Sequence, residues 1–247
     1  MFRIKNFQQW SLNEDEFYQK ELNPIFWSGN EFDPSVREKL LKIAEDFYSI
    51  FKIDLPIDDI QLTGSLANYN WTPKSDLDVH VLIDFSKVDP NKDLVKRALD
   101  GQRFIWNLRH NIIIRGHDVE LYIQDINEPH IASGLFSLQN NEWIKTPSYN
   151  PPQIDERDIQ MKYDGIVNDI VQIEAELGKS DSEISPEEVH NHAETLKSKI
   201  MKMRKEGLEQ RGEFSVENLV FKKLRNEGYI QKIIDLISRS YEKIYSE

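Results

Sequence analysis

The spacing of hydrophobic residues along the chain changes character near residue 150. Between residues 57 and 125, short runs in which apolar and polar residues alternate, as in half-buried strands, are separated by stretches with helical spacing. After Pro151 and Pro152 the apolar residues follow helical spacing alone. This pattern predicts an α+β fold, with a mixed sheet and flanking helices over residues 1–150 and an all-helical domain over residues 151–247.

Two segments alternate in the way that strands with one buried face do. In residues 76–83 the apolar side chains occupy the odd positions, and Asp76, Asp78 and His80 occupy the first three even ones. Successive side chains of a strand point to opposite faces, so these three polar residues are predicted to share one face. Residues 118–125 alternate in the same way and are predicted to form a later strand.

Capping residues followed by proline mark two helix starts in the first part of the chain. Asp33-Pro34 predicts a helix that continues to about Ile53. Asp89-Pro90 predicts a second helix that crosses over the sheet between the two strands. The apolar face predicted for this second helix consists of Leu94, Val95, Ala98, Ile105 and Leu108.

Three further signals complete the predicted architecture. The aromatic segment at residues 1–30 is predicted to pack on the core, because it is too rich in Phe and Trp for a disordered tail. Asn140-Asn141 lies between two short strand-like runs and predicts a hairpin. Ser185-Pro186 predicts a helix start in the helical domain, with a glutamate placed for a capping box.

Composition narrows the classes of partner. The net charge is −12 over 247 residues, whereas a protein that grips long duplex nucleic acid usually has a basic domain, so broad duplex binding is not expected. The chain has no cysteine, which excludes disulfides and thiolate-bound zinc and fits a reducing compartment. No apolar run is long enough for a membrane span, and the N-terminus lacks a signal-peptide pattern. We therefore expect a cytoplasmic protein.

The candidate chemistry lies between residues 62 and 85. Gly64-Ser65 follows an apolar run, and a glycine at such a corner lets the backbone approach an anion that the following N–H groups bind. Asp76 and Asp78 repel each other when both are ionised, unless a divalent cation lies between them. A nucleoside triphosphate held by the corner and by Mg²⁺ satisfies both features. The alternative is that both aspartates are turn and strand-edge residues on a solvated surface.

The order of these residues resembles the signature of the nucleotidyltransferase superfamily related to DNA polymerase beta. In that signature a Gly-Ser corner is followed by a variable loop, by Asp-x-Asp on an apolar strand and by a third carboxylate on a later strand. The residues that match it position by position are Gly64, Ser65, Asp76, Asp78 and Glu120. The combined spacing is fairly specific, whereas Asp-x-Asp alone would not be.

The resemblance covers residues 57–125 and carries expectations for the rest of the chain. The layout, including residues 133–147 and 214–228, also resembles nucleotidyltransferase-domain proteins of large tailed phages. It implies a nucleotidyltransferase-like sheet domain at residues 1–150 and a helical C-terminal domain at 151–247. It further implies an enzyme that moves a nucleoside monophosphate from a triphosphate such as ATP to an acceptor hydroxyl, with release of pyrophosphate.

The same resemblance assigns roles to individual residues. Asp76, Asp78 and Glu120 would be the catalytic residues and the ligands of two Mg²⁺ ions, for which Mn²⁺ is an alternative. The phosphates would lie at Gly64 and Ser65. Two neighbouring residues, Lys74 and Ser75, are included in the predicted nucleotide site, although a solvated loop lysine is an equal reading of Lys74. Aromatic faces for stacking on a base are offered by Tyr69 and Trp71.

The sequence leaves alternatives for the acceptor, and it also leaves an alternative in which the protein is not catalytic. A small-molecule acceptor suits the acidic charge and short length, as in antibiotic nucleotidyltransferases of similar build. A protein or nucleic-acid end is the alternative, supported by a basic run that reads either as an acceptor groove or as a solvated helix face. A non-catalytic nucleotide-sensing module of the same fold is the rival from another class. The basic run consists of Lys197, Lys199, Lys202, Arg204, Lys205, Lys222, Lys223 and Arg225.

Overall fold

The computed structural model describes residues 18–129, 132–149, 156–178 and 184–246. The chain divides into two compact units, Met1–Pro151 and Pro152–Glu247. Of the aromatic segment predicted to pack on the core, residues 1–17 lie outside the described residues. Phe26 and Trp27 belong to the part that is described, and both are buried in the hydrophobic core of the first unit, as predicted.

Within the described residues, the first unit contains a six-stranded mixed sheet and a separate two-stranded ribbon. The ribbon pairs β1 (Trp27–Ser28) with β2 (Glu31–Phe32), and the sheet consists of β3 (Asp59–Thr63), β4 (Leu77–Ile83), β5 (Ile113–Ile114), β6 (His117–Asp125), β7 (Leu135–Ser137) and β8 (Glu142–Lys145). The spatial order is β5-β6-β4-β3-β7-β8. Strands β4 and β6 are parallel, and the other neighbours are antiparallel. The predicted α+β class, with a mixed sheet, is therefore confirmed.

The helices of the first unit are α1 (Pro34–Ser49), α2 (Phe85–Val88) and α3 (Lys92–Arg109), with a 3₁₀ turn at Ser65–Ala67. Asp33 caps α1 as predicted, because its carboxylate accepts hydrogen bonds from the backbone N–H groups of the first turn. The helix ends at Ser49, however, and does not continue to about Ile53. Lys52 has a φ of 53°, and this left-handed conformation interrupts helical geometry.

The hydrophobic core of the first unit lies on one face of the sheet. The odd positions of β4 are fully buried, as the alternation predicted. On β6 the alternate residues Val119, Leu121 and Ile123 are buried with them. The buried stripe of α1 belongs to the same core and consists of Val36, Leu40, Ala44 and Phe47.

The second predicted helix exists, but its start and its buried face were predicted wrongly. The side chain of Asp89 accepts from the Asn91 N–H in a local turn, and Asn91 is the residue that caps α3. Of the predicted apolar face only Val95 is buried, together with Leu99. The other four predicted face residues are exposed: Leu94, Ala98, Ile105 and Leu108.

The reason for this error is that α3 lies along β6 and satisfies polar groups of that strand. The Asn107 amide donates to the carbonyl of Leu121 (3.0 Å) and accepts from the N–H of the same residue (3.2 Å). An unpaired buried backbone group is costly, so a polar side chain is favoured where this helix meets the strand. Hydrophobic spacing alone does not reveal such a contact.

Two hairpins of the sheet, β5–β6 and β7–β8, contain turn residues with positive φ. β5 and β6 are joined at Arg115 and Gly116, both of which have positive φ. β7 and β8 pair on either side of Asn140-Asn141, where Asn141 has a φ of 58°. The hairpin predicted at this position is therefore confirmed.

The second unit, in the residues that the structure describes, consists of helices: α4 (Glu156–Gly178), α5 (Pro186–Arg211), α6 (Val216–Asn226) and α7 (Tyr229–Tyr245), with a 3₁₀ turn at Gly212–Phe214. The predicted capping box is present, since Ser185 and Glu188 exchange side-chain-to-backbone hydrogen bonds. Gly228 adopts the left-handed conformation between α6 and α7. A search of the described helices for one with the length and hydropathy of a membrane span finds none.

Candidate functional site

Gly64 forms a sharp corner between β3 and the 3₁₀ turn. Its φ of 74° lies in the region that favours glycine. A Cβ atom added at Gly64 would lie 1.9 Å from Oδ2 of Asp78, so no other residue fits without displacing that carboxylate. The glycine of the predicted corner is thus required by its conformation and by its contact with one of the two predicted metal-binding aspartates.

A hydrogen-bond network ties the loop after this corner to the strands. The Ser65 hydroxyl donates to the Ser75 hydroxyl (2.8 Å), and the N–H of Thr72 also donates to Ser75 (2.9 Å). The carbonyl of Ser75 contacts Nδ1 of His117 on β6 at 2.6 Å. Ser75 is buried, so its contacts hold the loop in place behind the corner.

The strand register brings Asp78 and Glu120 side by side. Asp78 on β4 is the Cα partner of Glu120 on β6, and its partner on β3 is Thr63. Register partners on neighbouring strands project from the same face of a sheet, so the two carboxylates share a face. Asp76 is the residue immediately before β4 and lies two positions before Asp78. Its side chain is half-buried. The face opposite to the hydrophobic core therefore carries Asp78 and Glu120.

Tyr122 is the residue that binds Glu120. Its hydroxyl donates to Oε2 of Glu120 at 2.5 Å. Its ring stacks on the ring of His80, with centroids 4.7 Å apart, and the Arg103 guanidinium lies 4.9 Å from its centroid. Burial raises the pKa of Tyr122 well above its usual value, and the charges of Asp78 and Glu120 raise it further. The tyrosine hydroxyl therefore stays protonated and remains a hydrogen-bond donor.

The polar face continues beyond the acidic residues into a buried network. The Ser137 hydroxyl on β7 donates to one oxygen of Asp59 (2.7 Å), and the Gln61 amide donates to the other (2.8 Å). His80 contacts the side-chain oxygen of Gln124 at 2.7 Å. Asp59, Gln61 and Ser137 are buried, and their hydrogen bonds to one another offset part of the cost of burying them, whereas His80 and Gln124 are half-buried.

The donor set of this face suits a hard divalent cation, since Mg²⁺ takes oxygen ligands from carboxylates. The strand register opposes two such groups, Asp78 and Glu120, and Asp76 lies at the start of the same strand. In the described part of the chain, however, no group of three or more His, Asp or Glu side chains is arranged to hold a metal ion. Glu120 is directed to Tyr122 by its hydrogen bond.

The other predicted nucleotide-site residues lie around the corner, with contacts of their own. Lys74 is exposed on the loop, and its backbone N–H donates to the Thr72 hydroxyl. Tyr69 packs between Tyr18 and Tyr149, at centroid distances of 6.1 and 5.4 Å. The Trp71 indole donates to the Glu21 carbonyl at 2.9 Å. Both aromatic residues therefore have partners within the unit.

The basic run of the second unit does not form a uniform cationic surface. Lys223 is buried and lies 3.3 Å from Glu227. Lys202 and Lys205 are exposed, and each is paired with a glutamate one turn further along α5. Lys202 and Lys205 agree with the reading as a solvated helix face, whereas the buried Lys223 fits neither that reading nor an acceptor groove. The His190 and His192 side chains have different partners, on α7 and α4 respectively.

Two residues of the site were missed by reasoning from sequence. Tyr122 was recognised only as an alternate strand position, and Arg103 was not considered. The signal for Tyr122 was present, because it lies two residues after Glu120 and therefore on the same face. Nothing in the sequence indicates that Arg103 lies over that ring, because this depends on how α3 packs along β6.

Comparisons with known proteins give no relative: no family model, no curated protein and no solved structure matches this chain.

Proposed function

We propose that this protein is a nucleotidyltransferase, with a nucleotidyltransferase-like sheet unit, that moves a nucleoside monophosphate from a triphosphate to an acceptor hydroxyl. The observation that supports it most is the register of β4 and β6, which opposes Asp78 to Glu120 next to a corner where only glycine fits. The resemblance of this Gly-Ser, Asp-x-Asp and Glu order to the superfamily gives the arrangement its chemical interpretation. The acceptor that we favour is a small molecule, because the chain has a net charge of −12.

In this proposal each group of the chain has a defined task. The backbone at Gly64 and Ser65 binds phosphate oxygens of the triphosphate. Asp76, Asp78 and Glu120 would hold two Mg²⁺ ions, whose charge would offset that of the phosphates and lower the pKa of the acceptor hydroxyl. Lys74, on the exposed loop, would contact the outer phosphates.

Hydrogen bonds made by Tyr122, Ser65 and Ser75 support the geometry of the proposed site. Ser75 anchors the corner loop through its hydroxyl contacts with Ser65 and Thr72. Tyr122 fixes one oxygen of Glu120. Catalytic groups must keep their geometry to within a fraction of an ångström, so such supporting contacts are expected around a working site.

The test is an assay of pyrophosphate release by the purified full chain with Mg²⁺ or Mn²⁺, each labelled nucleoside triphosphate and a panel of amino-sugar, protein and oligonucleotide acceptors. We expect activity in the wild type and a loss of about 10²–10³-fold in Asp78→Asn, the range seen when one group that stabilises transition-state charge is removed. Asp89→Asn is the matched control, since Asp89 lies in a turn before α3. Metal-dependent nucleotide binding without turnover would favour the sensing module, and no nucleotide binding at all would refute both.

A further inference from the structure

Helix α3 carries a stripe of apolar and small residues on its exposed side. The members recur at alternating steps of four and three residues, and all of them are exposed: Leu94, Ala98, Gly101, Ile105 and Leu108. This spacing is typical of the seam of a coiled coil, in which a helix buries one narrow stripe against a second helix. The stripe therefore indicates that α3 packs against a further helix.

The orientation of α3 is fixed by contacts on its other side. Val95 and Leu99 are buried in the core of the first unit. The Asn107 amide is hydrogen-bonded to both backbone groups of Leu121 on β6. A rotation of the helix that buried the stripe would break these contacts. Within the first unit the stripe therefore stays on the surface.

The exposed apolar surface of α3 is large for one helix face. The exposed fraction is 59% for Leu94, 47% for Ile105 and 74% for Leu108, and Phe104, next to the stripe, is 64% exposed. If two copies of α3 cover these side chains, they remove on the order of 1,000 Å² from water, which is the size at which specific interfaces begin. A second copy of the same helix therefore supplies enough surface for an interface.

Charge and side-chain size favour a second copy of this chain, running antiparallel, as the partner of the stripe. The first turn of α3 contains Asp93 and the last turn contains Arg109, and both are exposed. An antiparallel copy brings the acidic end next to the basic end and also aligns the helix dipoles favourably. Ala98 and Gly101 lie near the middle, where small residues let two backbones approach closely. The space there is open, because a Cβ atom added at Gly101 would meet no neighbouring atom within 4 Å.

We propose that the protein forms a two-fold symmetric homodimer in which the α3 helices of the two copies pack antiparallel through this stripe. Such an interface is self-complementary, because the same surface of each copy contacts the other. The inference does not depend on the proposed function, since no residue of the stripe belongs to the candidate site.

The first test measures the oligomeric state of the full chain by sedimentation velocity over a concentration series. We expect a reversible dimer in the wild type. Gly101→Glu should weaken association about a hundredfold, because it places two carboxylates close together at the centre of the interface. The substitution should not impair folding, since glutamate is a better helix former than glycine.

The second unit offers a matched control. Gly165 is an exposed glycine within α4, and a Cβ atom added there would also meet no neighbouring atom within 4 Å. Gly165→Glu therefore makes the same change in charge and helix propensity, and association should be unchanged. Equal dimerisation of the two variants overturns the inference. It is also overturned by a wild-type chain that stays monomeric up to about 100 µM, where even a dimer with a micromolar dissociation constant would be largely formed.

A second measurement reports the direction of the two helices. The chain has no cysteine, so a single cysteine can be introduced and joined between copies by a short bismaleimide. Cross-linking is expected in Gly101→Cys, which is near the middle of α3, and not in Leu108→Cys, because antiparallel helices separate the two copies of that end position by about 20 Å. Cross-linking of both variants would indicate parallel helices, and cross-linking of neither would exclude α3 as the interface. Either result overturns the inference.

Discussion

The two units each contain a tyrosine hydroxyl bound to a glutamate, and the surroundings of the two pairs differ. In the second unit Tyr163 binds Glu227, and the ammonium of the buried Lys223 lies 3.3 Å from the same carboxylate and 4.9 Å from the tyrosine ring. In the first unit Tyr122 binds Glu120, whose neighbour in the register is a second carboxylate, Asp78. In the second unit a cation contacts the carboxylate itself, whereas in the first unit the cation, Arg103, lies over the tyrosine ring and the register neighbour of the carboxylate is a like charge.

This difference separates a structural polar cluster from a candidate site. A buried cation beside its carboxylate leaves little charge for an external ligand, so the cluster of the second unit has its balancing charge within α6. Two carboxylates in register repel each other, and an approaching cation relieves that repulsion. The same tyrosine–glutamate hydrogen bond therefore belongs to a structural cluster in the second unit and to a candidate site in the first. The charge of the group beside each glutamate makes the difference.

The largest effect on stability is expected when the buried Lys223 of the second unit loses the charge of Glu227. Glu227→Gln leaves the ammonium of Lys223, which is almost fully buried, beside a neutral group. We expect this change to destabilise the second unit by about 2 kcal/mol, below the usual cost for a broken buried pair because Glu227 is itself exposed. Glu120→Gln should leave the stability of the first unit unchanged or slightly higher, because it removes a like charge next to Asp78.

The two units can be followed separately in this experiment. All five tryptophans of the chain lie in the first unit, so tryptophan fluorescence during urea unfolding reports on that unit. Hydrogen exchange of peptides from α6 and α7 reports on the second. Equal destabilisation by Glu120→Gln and Glu227→Gln would remove the distinction between the two clusters.

An intermediate effect on stability is expected at the C-terminal end of β6, where the carboxylate of Asp125 is paired with Lys92. Burial alone would raise the pKa of Asp125, but the Lys92 ammonium at 2.7 Å and hydrogen bonds from Asn127 hold the pKa below its usual value. A carboxyl group whose pKa is lowered by folding stabilises the protein above its unfolded pKa, and this stability is lost as the pH falls through the folded pKa. Lys92→Met should therefore lower the stability near neutral pH, but by less than Glu227→Gln does, since the lysine is partly exposed and solvent screens the pair.

The pH dependence provides the check on that expectation. The difference in unfolding free energy between wild type and Lys92→Met, from urea titrations followed by fluorescence, should shrink as the pH falls below the ordinary range of an aspartate pKa. Arg109→Met at the end of α3 serves as a control for loss of one positive charge. A difference that persists undiminished in acid would show that packing of the lysine stem, and not its charge, is responsible.

The smallest effect is expected for an exposed pair. Lys202 is one turn from Glu206 on α5, at 3.8 Å, and both side chains are largely exposed. Because solvent screens such pairs, Lys202→Ala should change the unfolding free energy by at most about 0.5 kcal/mol. Nucleotidyl transfer should also be unaffected with a small-molecule acceptor. Selective loss of transfer to an oligonucleotide or protein acceptor would instead assign the basic run to acceptor binding.

Much of the sheet was predictable because its alternation is a local property. Each side chain of β4 and β6 projects from a face fixed by its position, so the shared face of Asp78 and Glu120 needed only the additional condition that the strands are neighbours. Capping chemistry located the starts of α1 and α5 correctly for the same reason, since the bonds are made within one turn. The start of α3 was missed because two candidate caps, Asp89 and Asn91, compete within three residues.

The amino-acid sequence by itself determined the α+β class, the two acidic strands, the glycine corner and the helical second part, since each of these depends on neighbours along the chain. Only the tertiary structure decided that α3 turns Arg103 and Asn107 toward β6, that Tyr122 binds Glu120, and that Lys223 is buried beside Glu227. The physical reason is that hydrophobic spacing records which face of an element avoids water. It does not record which polar groups meet there, and the balance of charge between such groups depends on the packing of elements that are distant in sequence.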